Sequence, residues 1–211
     1  MTVKSLIKEY DKRKKEIRDR LKLFRSVGEE PDRRIFSELC FCICTPQSSA
    51  VNCDRAISYL KKNGDLFTGD IKTVRKGLKA VRFPNNKSKY IIAARDMFTR
   101  NGRISIKDAI DEEDVFASRL WLEKNVKGLG LKEASHFLRN IGLGEQLAIL
   151  DVHILRNMAR LKLIDEIPKS ISKKTYFELE DRLKRFSKKI DITMGELDLL
   201  FWSQATGFIF K

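Results

Sequence analysis

Val126-Lys127-Gly128-Leu129-Gly130-Leu131-Lys132-Glu133-Ala134 leads into an apolar helical run to Ile141, and Ile149-Leu150-Asp151-Val152-His153-Ile154 follows; the fold is read from this stretch. Upstream, Val115, Phe116, Leu120, Leu122 and Val126 recur at helical spacing, and downstream Ala134, Phe137, Leu138 and Ile141 keep the same period. Two helices joined by the four residues 127–130 are expected to form a tight hairpin. Gly128 and Gly130 bracket Leu129, so the backbone can take positive φ or approach another surface closely, while Leu129 plugs the gap between the helices. The second helix then begins with exposed, unpaired N–H groups, which suit a phosphate oxygen with the positive end of the helix dipole behind them. An ordinary αα-turn, with glycine ending the first helix, is the alternative that Gly-x-Gly alone leaves open.

Lys132 lies two residues past Gly130, where a positive charge opposes the helix dipole and no carboxylate four positions on compensates, because residue 136 is histidine. Stability explains such a lysine poorly; nucleophilic chemistry explains it better. Asp151 stands where the apolar segment 147–150 enters the next helix. It reads as an N-cap, and capping is compatible with a chemical role, since a capped carboxylate is held rigid and ionised.

The run 126–134, followed nineteen residues beyond Lys132 by Asp151-Val152-His153-Ile154, resembles the helix-hairpin-helix DNA glycosylase superfamily, in its bifunctional glycosylase/lyase branch with a lysine nucleophile. The resemblance implies an all-α, two-lobed fold with the active site in the cleft between lobes. Residues 31–142 would form a central lobe carrying the hairpin at 126–141, and residues 1–30 and 143–211 a lobe built from both chain ends. Lys132 would be the nucleophile and Asp151 its partner, with Lys127, Gly128 and Gly130 gripping nucleic-acid backbone. His153 either packs or contacts phosphate. Hairpin carbonyls in this superfamily often hold a monovalent cation, so Leu129 and its neighbours are an expected K⁺ or Na⁺ site.

The 43 basic and 29 acidic residues give a net charge of +14, spread along the chain rather than gathered in a tail, and such a surface predicts a polyanionic partner. An ion-pair-rich thermophilic surface would also give 34% charged residues, but not that imbalance. Cys40, Cys42, Cys44 and Cys53 read as small buried residues. Endonuclease III-like relatives hold an iron–sulfur cluster on four cysteines near the C-terminus; no cysteine follows residue 53, so no iron–sulfur cluster is expected. No apolar run reaches the ~18 residues of a membrane span, and residues 1–25 lack a signal-peptide core, which predicts a cytoplasmic protein with no membrane partner.

In chain order, residues 3 to about 27 read as a surface helix with Leu6, Tyr10, Ile17, Leu21 and Phe24 inward. Asp32 can cap a central helix from 33 to about 44, and Ser48 or Ser49 can start the next, toward Leu60. Gln47, in the break between them, looks like the glutamine that enters the duplex in endonuclease III-like relatives; a solvated turn residue is the alternative. Arg82-Phe83-Pro84 offers a cation and an aromatic that suit stacking or wedging at the opposite strand, though Phe83 equally fits a local packing anchor. Asp111 to Asp114 reads as a capping region for the helix at Val115, and no alternating strand pattern with turns is present.

The tail from Asp198 is apolar for a terminus, which usually frays. Asp198 and Trp202 share a helix face, and Gly207 lets the chain double back, so Lys211 can enter the cleft; Trp202 as core and Lys211 as a solvated end is the alternative. The tail is similar to that of the small archaeal-type 8-oxoguanine glycosylase/lyases, which would make Asp198, Trp202 and Lys211 base-pocket residues. The resemblance implies excision of 8-oxoguanine from double-stranded DNA through a lysine Schiff base, then β-elimination, by a monomer needing no cofactor. A glycosylase/lyase for oxidised pyrimidines would show the same hairpin, and a non-catalytic DNA-binding protein would keep it for backbone grip alone.

Overall fold

A single apolar stripe among alternating charges makes α1, Val3–Glu29, a surface helix: Leu6, Tyr10, Ile17 and Phe24 are buried, while Leu21 is only half-buried. The computed structural model describes residues 1–211. Next comes α2, Asp32–Cys44, nearly all apolar and buried from Ile35 to Cys44. Asp32 does not cap it, contrary to the sequence expectation: Pro31 holds the N-cap position, and Asp32 Oδ1 accepts the Lys107 N–H at 2.9 Å, tying the helix to a distant turn.

Ser49 caps α3, Ala50–Lys62, and two short helices follow, α4 at Asp65–Thr68 and α5 at Ile71–Gly77. Pro84 opens α6, Pro84–Phe98. One feature departs from the all-helical reading: β1, Thr99–Arg100, pairs antiparallel with β2, Arg103–Ile104, across a turn at Asn101 and Gly102. Both turn residues have positive φ, the conformation that an Asn-Gly hairpin turn requires, and two residues per strand are too few for alternation to register. A 3₁₀ turn at Lys107–Ala109 leads to α7, Val115–Asn125, capped by Asp114.

The remaining helices are α8 at Leu131–Asn140, α9 at Val152–Arg160, α10 at Lys173–Ile190 and α11 at Met194–Thr206. The last two run four and five residues past their sequence-read ends, 186 and 201, and buried Ser187 and Ser203 continue their inward faces.

Two hydrophobic cores result. One gathers buried residues from Ile35 to Leu147, with α2 at its centre. The other joins Leu6 to Phe24 of α1 with residues from Ala148 to Ile209, and takes Leu131 from the first turn of α8. Glu196 holds the chain ends together, its Oε1 accepting Tyr10 Oη at 2.7 Å and Arg18 Nε at 2.9 Å.

Across the seam between the cores lies a buried ion pair. Arg119 of α7, 1% exposed, donates Nη1 and Nη2 to the two oxygens of Glu180 on α10 at 2.6 and 2.8 Å. Glu180 Oε1 also accepts the Ala148 N–H at 2.7 Å, and Tyr176 Oη donates to the Ala148 carbonyl at 2.6 Å. The backbone three residues before Asp151 is thus fixed on both sides. Removing one partner of such a pair strands a buried charge, so Arg119→Met is expected to cost about 3–5 kcal/mol in urea-monitored unfolding. A cost below about 1 kcal/mol would show that the seam does not depend on this pair.

Candidate active site

The hairpin connection spans five residues, 126–130, one more than the sequence spacing suggests, because α7 stops at Asn125. Its two glycines serve different ends. Gly128 sits at φ +91°, and a Cβ there would lie 2.6 Å from the Tyr90 ring, so both conformation and space demand glycine. Gly130 is extended, and a Cβ would meet only the Glu133 carboxylate at 3.2 Å; the expected positive φ belongs to Gly128 alone. Leu129 is buried in the first core, as a plug between the helices should be.

At the start of α8, the Leu131, Lys132 and Glu133 N–H groups have no protein acceptor, whereas Gly130 N–H donates to Glu133 Oε2 at 3.2 Å. One of the N–H groups at this helix start is therefore already taken by its own chain. Lys132, a quarter exposed, has Nζ 3.6 Å from Glu133 Oε1. Asp151 caps α9: its Oδ1 accepts the His153 and Ile154 N–H groups at 2.8 and 2.9 Å, and no protein donor meets Oδ2. The cap thus uses only one of the two oxygens.

Lys132 and Asp151 line one cleft of about 810 Å³ together with His153, Asp198, Trp202, Lys211 and Gln47. Phe83, Lys127, Gly128, Leu129 and Gly130 lie outside its lining. Phe83 is half exposed on a separate turn beside the Gln47 turn, and Lys127, Gly128 and Gly130 lie on the hairpin's outer face. Trp202 stacks on Phe210 with centroids 6.0 Å apart and meets Phe208 edge-on at 5.3 Å, giving the cleft an aromatic wall.

Lys211 does not offer its ammonium to the cleft centre. Nζ lies 2.6 Å from Asp54 Oδ1 and 3.0 Å from Glu38 Oε1, above the Phe41 ring at 4.6 Å. Burial alone would raise the Glu38 carboxyl, but the charges of Lys211 and Arg34 reverse this and hold it below its ordinary range.

Sequence reasoning missed His136 and Arg139, which line the same cleft. Their signal was present: positions 132, 136 and 139 share one face of a helix. Burial, and then the Arg139 and Lys132 charges, push His136 far below its usual range, so its imidazole is neutral; neither ring nitrogen has a hydrogen-bond partner. Arg139 Nη2 lies 3.3 Å from Asp198 Oδ2. Burial pushes the Asp198 carboxyl up to about 6, against the opposing pull of Arg139, and the Asp151 charge adds to the rise. All four cysteines are buried and unpaired, with burial raising their thiols.

Residues 17–192 match the family described as 8-oxoguanine DNA glycosylase. An 8-oxoguanine DNA glycosylase/AP lyase of Fusobacterium nucleatum is 43% identical over 96% of this chain and 94% of its own. The enzyme of the same name from Methanocaldococcus jannaschii is 37% identical over 98% and 99%. Among solved structures, the 8-oxoguanine DNA glycosylase of Thermotoga maritima superposes with a TM-score of 0.87 at 34% identity, over 99% of this chain and 97% of that one. The M. jannaschii glycosylase/lyase in complex with a 15mer DNA containing 8-oxoguanine also gives 0.87, at 33% identity over 98% and 100%.

A carboxyl raised on folding binds its proton more tightly in the native state. Stability is therefore lost as pH rises from 3.8 to about 6 and is level above that. Asp198→Asn should remove this slope: the unfolding free-energy difference between variant and parent should shift in the variant's favour by on the order of 2–3 kcal/mol between pH 4 and pH 7. Parallel stability profiles across that window would refute the raised carboxyl.

Proposed function

The chain belongs to the 8-oxoguanine DNA glycosylase family of helix-hairpin-helix fold, and from that premise we propose that Lys132 and Asp151 carry out base excision and strand nicking on oxidised duplex DNA. It is a DNA N-glycosylase and apurinic/apyrimidinic-site lyase acting on 8-oxoguanine. One observation carries the residue assignment: the amine at the α8 N-terminus and the unpartnered oxygen of the α9 cap open onto the same cleft.

A glycosidic bond inside the stack is out of reach, so the nucleotide must be extruded, at a cost of a few kcal/mol. The +14 charge and the free N–H groups of Leu131, Lys132 and Glu133 supply phosphate contacts that offset that cost. Gln47 at the cleft mouth and Phe83 beside it are placed to fill the gap in the stack. The extruded base lies against Trp202, with Asp198 and Lys211 lining the same pocket.

Neutral Lys132 attacks the anomeric carbon; the glycosidic bond breaks, and the base leaves with its electron pair and takes up a proton. Asp151 Oδ2 stabilises the developing positive charge on the sugar and accepts the ammonium proton. Loss of the ring oxygen from the anomeric carbon gives a Schiff base, which acidifies the neighbouring C2′ proton; its removal expels the 3′ phosphate. The lysine serves as electron sink, so the scheme calls for no cofactor.

At the hairpin, the carbonyls of Gly128 and Leu129 meet no protein donor, and these oxygens would hold a K⁺ or Na⁺ ion. Such an ion would supply charge neutralisation there. Both cores close within the chain, which fits a monomer.

Borohydride should trap the protein covalently on 8-oxoguanine duplex, and Lys132→Gln should abolish trapping while retaining duplex binding. Asp151→Asn keeps the cap, since asparagine serves as well there. It should therefore leave the melting temperature near that of the parent while lowering single-turnover base release about 10²-fold or more. Trapping by Lys132→Gln, or undiminished release by Asp151→Asn, would overturn the assignment of that residue.

A further inference from the structure

Lys87, in the first turn of α6, is 4% exposed, and no carboxylate pairs with it. Its ammonium instead donates to the Cys44 carbonyl at 2.7 Å, the Pro46 carbonyl at 2.8 Å and the Ser48 hydroxyl at 3.0 Å. Three donors meet three acceptors, all of them within three residues of Gln47. Burying a charge costs several kcal/mol, and closing a turn does not require it. This turn already has its own closure, Ser48 N–H to the Thr45 carbonyl at 3.0 Å. The lysine serves another end.

Ser48 Oγ shows which. Besides the Lys87 amine it accepts the Arg82 N–H at 2.9 Å, and Arg82 immediately precedes Phe83. One hydroxyl thus links two turns that lie 34 residues apart in sequence. Each turn also holds a side-chain-bearing residue in the left-handed region, Gln47 at φ 55° and Phe83 at φ 57°. Such conformations cost about 1 kcal/mol or more apiece and persist only where the surroundings over-determine them. Gln47 is exposed and lines the cleft; Phe83 is 49% exposed, with the Arg82 guanidinium 5.4 Å from its ring centroid.

We infer that Lys87 and Ser48 form a joint that locks the Gln47 and Phe83 turns into one two-pronged wedge, which holds the duplex open at fixed spacing while the damaged nucleotide is in the cleft. The inference rests on the reading above that this face enters the duplex. Lys87 touches no DNA in this scheme; it is a positioning residue. A wedge assembled before contact spares the ordering of two loops at the moment the stack is broken.

The test compares single-turnover base release from 8-oxoguanine in a fully paired duplex with release from the same lesion unpaired in a one-nucleotide bulge, where no pair has to be held apart. Lys87→Met should lower the paired-to-bulged ratio about tenfold or more, within the few kcal/mol that extrusion costs. Ser48→Ala keeps the buried amine and removes only the shared acceptor; it should lower the ratio at least about threefold, with a melting temperature close to the parent's. If Lys87→Met does not fold, Ser48→Ala decides alone.

Gln47→Ala and Phe83→Ala separate this inference from its premise. If they lower the ratio while the joint variants leave it within twofold of the parent, the joint is overturned. If no variant at the four positions moves it, the wedge reading of this face falls as well. A parent chain that releases no base from either substrate would instead sink the proposed function.

Discussion

A buried guanidinium held in both oxygens of a buried carboxylate fixes the relation between the amine and the acid. Lys132 stands on a helix whose far end belongs to the first core, whereas Asp151 opens a helix of the second. Nothing in local backbone preference sets their separation. Arg119 and Glu180 set it from below, and Glu180 and Tyr176 together grip both backbone groups of Ala148, which begins the short extended run to Asp151. In a low-dielectric seam, a bidentate pair of this kind ties the two lobes together without adding much net stability, and Arg119 Nε is left with no partner.

Within the cleft, charge is laid out so that each group restrains its neighbour. Arg139 opposes the desolvation of Asp198, and Glu38 with Asp54 engages the Lys211 ammonium; burial, with the neighbouring cations, keeps the His136 imidazole neutral. The only lysine amine in the lining held by nothing stronger than a 3.6 Å contact is that of Lys132.

The hairpin, the first-turn place of Lys132 and the Asp151 cap were legible because each depends on neighbours close in sequence: glycine spacing, a lysine just past it, a carboxylate before a helix. The helices were legible for the same reason, from apolar period. What escaped the sequence depends on partners far along the chain. Asp32 looked like a cap, yet its carboxylate serves a backbone 75 residues away. Glu38 sits in an apolar run with nothing local to explain it, and its partners include residues 140 and 211. Lys87 carries no motif, since its acceptors are two carbonyls and a hydroxyl some forty residues upstream. Phe83 looked equally suited to packing, and neither its exposure nor its left-handed backbone could be read from the neighbouring residues.

Glu133 gives the hairpin a property beyond grip. Its carboxylate occupies the Gly130 N–H and neighbours the Lys132 amine, so the resting protein carries a tethered anion where a foreign one would dock. A tethered competitor acts at high effective concentration, which small free anions cannot match. Chloride or orthophosphate therefore gains little by displacing it, whereas a polymer already anchored at several other points can. One side chain makes both contacts, so a swing that freed the Gly130 N–H would also carry the carboxylate away from the amine.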